Sequence, residues 1–301
     1  MIKRMVEISR RPAHLSVKHN QLELNFRDGE QETARVPCED LGVLVVDQPQ
    51  VTYSHRALAA LMESGATVVL CGGNHLPTGL LLPLPDHSEV VHRIHTQINI
   101  SKPLRKQLWK KLVVAKVRAQ TLNIPAQSPE ARKLKTLARR VRSGDPSNIE
   151  AQAAKVYWRV WLGPDKPFRR DTDGDGVNGL LNYGYAVVRA AVGRAIMGAG
   201  LLPMFGLNHS NRSNAFCLAD DLLEPLRPLV EARVRRLVDE GCEQVNPKTK
   251  AELISVLNQS VNCDDKISPL QIAIQRMAYS LQKAYKQDSP ERLKIPVATQ
   301  V

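Results

Sequence analysis

Apolar and polar positions alternate in two different rhythms along the chain. Up to about residue 85 the apolar residues come in short β-branched or alternating runs, MVEIS, HLSVKH, QLELNFR, ETARVP, LGVLVVD, TVVLC and GLLLPL, the period of strands with one buried face. Turn signals such as Arg27-Asp28-Gly29 separate them. One helix interrupts, SHRALAALMESG, with Ser54 as its N-cap and Gly65 as its C-terminal stop. Strands this short, with few helices between them, predict a small antiparallel β-sandwich over residues 1–86, hence an α+β class for the whole.

From about residue 88 the period becomes helical. Segments 88–100, 103–123, 129–142, 148–162, 178–200, 218–240, 249–258 and 268–286 each carry an apolar stripe. The Pro83-Leu84-Pro85-Asp86 stretch marks the boundary. Residues 87–101 read as a linker and first helix, 102–286 as an all-α domain, and 287–301, with two prolines and little pattern, as a tail. No apolar run approaches the roughly 18 residues needed to cross a bilayer. The N-terminal MIKRMVEISRR also lacks a signal-peptide core. The chain is therefore expected in the cytoplasm, with no membrane partner. Cys38, Cys71, Cys217, Cys242 and Cys263 form no CxxC pair and are expected as reduced thiols, not a zinc ribbon or disulfide frame.

Charge changes the picture once it is divided along the chain. Residues 1–100 hold 9 Lys+Arg against 11 Asp+Glu, residues 101–170 hold 18 against 4, and residues 171–301 hold 15 against 15. The whole net charge of +12 thus rests on the middle segment, and a block this basic seeks a polyanion. In ARKLKTLARRVRSG, Arg132, Lys135, Arg139 and Arg142 fall at helical spacing and make a cationic stripe, with Arg140 beside it and Arg169 and Arg170 following.

Candidate chemistry centres on FGLNHSNRSNAFCLADDLLEPLRP, residues 205–228. Asp221 and Glu224 stand three apart on a predicted helix face, and His209 lies one loop upstream. One imidazole and two carboxylates suit a divalent metal of the Mg²⁺ or Mn²⁺ kind. First-turn acids also satisfy a helix N-terminus without any metal. A further acid, Glu150, opens SNIEAQAAKVYWRVW, where Ser147 and Glu150 match a capping box. An acid beside a polyanion site nevertheless calls for a cation between them. Tyr157 and Trp158 are placed to stack on a base or to pack in the core. Asp171, Asp173, Asp175 and Gly176 open like an EF-hand loop, but position 12 is Asn182 where a bidentate glutamate is needed, so calcium sensing is not expected.

Taken together, LSVKHNQLEL, PCEDLGVLVVD, CGGNHLPTGLLLPL, PLRKQLWKKLVVAKVRAQ, IEAQAAKVYW, NGLLNYGYAVVRA and GLNHSNRSNAFCLADDLLEPLRP resemble the universal CRISPR-associated integrase family, the first-numbered Cas protein, in its type II form. The resemblance covers nearly the whole chain. It implies an N-terminal β-sandwich that forms a homodimer and a helical domain with one metal site. It places the metal and catalytic residues on Glu150, His209 and Glu224, with Asp221 as direct ligand or supporting partner. It also implies a metal-dependent endonuclease and integrase that inserts short double-stranded DNA spacers into a CRISPR array by 3′-hydroxyl attack. The implied partner is the small ferredoxin-like second-numbered Cas protein, in a heterohexamer. Arg132, Lys135, Arg139, Arg140, Arg142, Arg169 and Arg170 would track the DNA backbone. Two other readings remain: a DNA-binding scaffold without activity, and a metal-dependent nuclease without strand transfer.

Overall fold

The computed structural model describes residues 3–26, 33–73, 75, 77–84, 88–163, 166 and 168–299. The Arg27-Asp28-Gly29 turn and Pro85-Asp86 of the expected boundary lie outside them. The first strands are β1 (Arg4–Ile8), β2 (Ala13–Lys18), β3 (Gln21–Phe26), β4 (Ala34–Pro37), β5 (Leu41–Val46) and β6 (Thr52–Tyr53). After helix α1 (His55–Glu63) come β7 (Thr67–Cys71) and β8 (Pro77–Leu81). Ser54 caps α1 as expected, accepting from the Ala57 N–H at 3.2 Å. β2 and β3 form a two-residue hairpin in which His19 and Asn20 both take the positive φ that a tight primed turn requires.

Two sheets result, β4-β3-β2-β6 and β1-β5-β7-β8. The second departs from the antiparallel expectation, because β1 and β5 pair parallel, as do β5 and β7, and β8 alone closes it antiparallel. Parallel neighbours need long crossovers. The β2–β3–β4 segment supplies one crossover, and β6 with α1 supplies the other. Alternation within a strand says nothing about such distant pairing. The unbroken apolar run LGVLVV of β5 does, since every residue of that strand is buried. Leu44 and Val46 face Leu15, Leu22, Leu24 and Leu61 in the core between the sheets. Val43 and Val45, with Val69, belong to the core of the helical half. One strand is thus wall to two cores.

The helical half contains α2 (Val90–Ile98), α3 (Lys102–Leu122), α4 (Pro129–Arg140), α5 (Ile149–Trp158), α6 (Val177–Gly198), α7 (Cys217–Leu223), α8 (Arg227–Asp239), α9 (Pro247–Ser255) and α10 (Leu270–Lys286). α6 runs through its centre with most of its residues buried. At Gly184 the helix comes so close to α8 that an added Cβ would lie 2.5 Å from Val230. Among the described residues no helix is long and apolar enough to cross a membrane.

Three expectations change here. The helix expected over 218–240 is broken into α7, a 3₁₀ turn Glu224–Leu226, and α8, because Pro225 and Pro228 each remove a backbone donor. The second half is not all-α: β9 (Ser260–Cys263), β10 (Lys266–Pro269) and β11 (Val297–Ala298) form a small antiparallel sheet. Nor is the expected tail loose over its described residues. Leu293 is 2% exposed, Lys111 donates to the Pro290 carbonyl at 2.9 Å, and β11 pairs with β9. These contacts join residues far apart in sequence, so local periodicity does not register them.

Candidate active site

The site is built on α3. Its buried face runs Leu108, Trp109, Leu112, Val113, Lys116, Val117 and Gln120, so a lysine occupies a core position of an otherwise mostly apolar stripe. A buried ammonium must find carboxylates. Lys116 donates to Glu150 of α5 and, at 2.5 Å, to Glu224 in the 3₁₀ turn. Arg227, one turn on, donates to the other Glu224 oxygen at 2.9 Å and lies 4.4 Å over the Tyr185 ring. Two cations and two carboxylates thus balance, Lys116 and Glu224 buried and the side chains of Glu150 and Arg227 28% and 25% exposed. Burial pushes the Glu224 carboxyl up, but Arg227 and Lys116 overrule it and hold it down to about 2. Burial pulls the Lys116 ammonium down, and Glu224 and Glu150 outweigh it, leaving its pKa above the ordinary lysine value.

Glu150 is free to do this because it does not cap its own helix. Asp145, in a left-handed backbone conformation, accepts from the Ile149 and Glu150 N–H groups at 2.9 Å each, and Asn148 accepts from Ala151. The Ser147–Glu150 capping box is therefore not formed. The Ser147 hydroxyl instead accepts from Arg142 at 3.3 Å.

His209 is set by the glycine loop upstream. Asp221, fully buried, accepts from the backbone N–H groups of Leu207, Asn208 and His209 and from His209 Nδ1 at 2.7 Å. That contact orients the imidazole, leaves Nε2 as its available nitrogen, and raises the His209 pKa against the opposing effect of burial. Trp109 meets the ring edge-on at 5.9 Å. Gly206 makes the turn possible, since a Cβ there would lie 2.3 Å from the His209 carbonyl and 2.8 Å from Asp221.

The four expected metal residues are not gathered into one set. Glu150 and Glu224 meet around Lys116, while His209 pairs with Asp221. Among the described residues no three His, Cys, Asp or Glu side chains converge to grip an ion. Asp221 and Glu224 do not share a ligand as their spacing suggested, because the 3₁₀ turn aims Glu224 at α3 while Asp221 faces the loop. The donor chemistry still fits a divalent ion: two carboxylates already share one ammonium, and the oriented imidazole of His209 lies near enough to Glu224 to feel its charge.

Of the expected DNA-tracking residues, Arg132, Lys135, Arg139, Arg140, Arg142 and Arg169 are exposed, above the buried Ala131, Leu134, Leu137 and Ala138 of α4. Arg170 is different. Its guanidinium is held by Asn178 at 3.0 Å and by Asn182, the latter being position 12 of the EF-hand-like stretch. Tyr157 is fully buried, and Trp158 packs on Trp161 and Phe168. The sequence reading missed Lys116, Arg227 and Asp145. The visible signal was Lys116 itself, at a core position between Val113 and Val117.

A profile of the family described as CRISPR associated protein Cas1 matches residues 6–262. The chain belongs to the Cas1 family. It is 37% identical over 286 residues to the CRISPR-associated endonuclease Cas1 of Neisseria meningitidis serogroup C (strain 8013), covering 94% of this chain and 92% of the relative. Its fold is similar to a casposase bound to integration product (TM-score 0.78, 19% identity, 96% of this chain and 92% of that one). It is also similar to a chain of a Cas6-RT-Cas1–Cas2 complex (TM-score 0.75, 16% identity, 97% of this chain and 36% of that one).

Proposed function

We propose that this Cas1 chain inserts short double-stranded DNA spacers into a CRISPR array in the cytoplasm, by attack of a DNA 3′-hydroxyl on a target-strand phosphodiester. The endonuclease relative and the fold shared with a casposase bound to integration product support the reaction class. Glu150, Glu224 and His209 would hold one Mg²⁺ or Mn²⁺. When bound, such an ion lowers the pKa of the attacking hydroxyl and neutralises charge developing at phosphorus. Asp221 fixes the imidazole of His209. Arg227 keeps Glu224 ionised, and no side chain becomes a covalent intermediate. The exposed cations of α4, with Arg169, track the DNA backbone without reading sequence. Residues 1–86 serve the homodimer contact. The small ferredoxin-like Cas2 protein is the partner that bridges two dimers into a heterohexamer, a reading supported by the Cas2-containing complex of similar fold.

Glu150 and Glu224, brought together on the Lys116 ammonium, carry this reading. Glu150→Ala or His209→Ala should abolish metal-dependent joining of a short duplex to array DNA, with duplex binding nearly intact. Joining at the wild-type rate would reject these residues as the site. Linear cleavage products without a branched intermediate would favour a plain nuclease. Neutralising Arg139, Arg140 and Arg142 together should flatten the slope of log affinity against log salt by roughly 2 to 3 units; an unchanged slope would remove the α4 stripe from the DNA path.

A further inference from the structure

Lys116 sits where the charge of a metal ion belongs. Its ammonium touches one oxygen each of Glu150 and Glu224, the two carboxylates assigned above to the ion, and its side chain is 9% exposed. With Lys116 and Arg227 present, the two acids are already neutralised. A divalent ion added to this set would leave two excess positive charges in a low-dielectric pocket, a costly state. If the ammonium leaves the position between the acids, one excess charge remains, and a single DNA phosphate cancels it.

We propose that Lys116 is a tethered resident cation, which holds Glu150 and Glu224 together before metal arrives and yields its place to the divalent ion. The exchange keeps two like-charged carboxylates side by side in a metal-free protein, where they would otherwise repel. The same exchange lowers the apparent affinity for free metal, because the ion must displace a cation attached to the same helix. DNA restores the balance, since its phosphate meets the excess charge, so metal and DNA bind more tightly together than either does alone. Lys116 acts here as a positioning residue. The inference rests on the assignment of Glu150 and Glu224 to the metal.

The test uses the full chain, stripped of metal, and Mn²⁺ alone as probe. In calorimetric titration Lys116→Met should bind Mn²⁺ about tenfold more tightly than wild type or better, and Lys116→Gln should shift in the same direction. In the wild-type chain, acetylation of Lys116 by acetic anhydride, read by peptide mass spectrometry, should rise severalfold on saturation with Mn²⁺. Lys250, buried against Asp47 elsewhere, serves as the unchanged internal control. The labelling arm needs no variant and decides the matter if neither substitution folds. Glu150→Gln, which should lose Mn²⁺ binding, reports whether the titrated site is this one. Mn²⁺ bound at that site with Lys116 labelling unchanged would overturn the exchange and leave the metal assignment standing. No Mn²⁺ binding by wild type or by any variant would overturn both.

Discussion

Among the described residues two lysines, Lys250 and Lys116, are buried against carboxylates, and their surroundings differ. Lys250 of α9 meets Asp47 at the end of β5 with both side chains at most 5% exposed, and its ammonium lies 5.6 Å from the centre of the Tyr183 ring. His75 adds a contact to Asp47 at 3.1 Å from the solvent side. That cluster ties the strand half to the helical half across 203 residues of sequence. Lys116 instead has two acids, one of them partly open to solvent, and a second cation on the far side of Glu224. A closed pair with both partners dry fixes structure. A cluster whose lysine is shared between two acids, one of them reached by solvent, can change its cation.

The contrast can be broken by substitution. Asp47→Ala would remove the carboxylate bonded to the buried Lys250 ammonium and should cost about 3–5 kcal/mol in urea unfolding, the range for one lost partner of a buried pair. Glu150→Ala, which leaves Lys116 its bond to Glu224, should cost only about 1 kcal/mol; equal costs would mean that the two clusters play the same role. Acid gives the next largest effect. The folded Glu224 carboxyl, at about 2, lies below its unfolded value of 4.5. Its contribution is therefore fully present above pH 4.5 and is lost as pH falls towards 2. In metal-free protein this amounts to on the order of 3 kcal/mol, and it should vanish from the pH dependence of stability in Glu224→Gln. The smallest effect is expected at His75, whose side chain is 61% exposed. His75→Ala should change stability by less than about 1 kcal/mol, and a larger loss would make it part of the buried pair.

The legible part of this architecture was local. Strand and helix periods, the Ser54 cap and the exposed α4 stripe could be read from neighbours a few residues apart. His209 and Asp221 were found as candidates, although their spacing did not reveal that Asp221 organises the loop and the imidazole. Glu150 shows why the rest was hidden. Its spacing from Ser147 fits a capping box, and only the left-handed turn at Asp145 frees it to reach Lys116 on another helix. The break at Glu224 was written in Pro225 and Pro228, yet an apolar stripe on both sides masked it. The parallel pairing of β1 with β5, and the antiparallel pairing of the C-terminal strand with β9, depend on partners that no local window contains.

The double-faced strand β5 has a consequence for exchanging parts between relatives. Its odd side chains, Val43 and Val45, are shaped by the helices, while Leu44 and Val46 answer to the opposite sheet. A graft that swaps the strand half wholesale would import foreign side chains into the interior beneath α6, even with every junction loop preserved. Chimeras should therefore tolerate a transplanted N-terminal module only when residues 43, 45 and 69 travel with the recipient's helices.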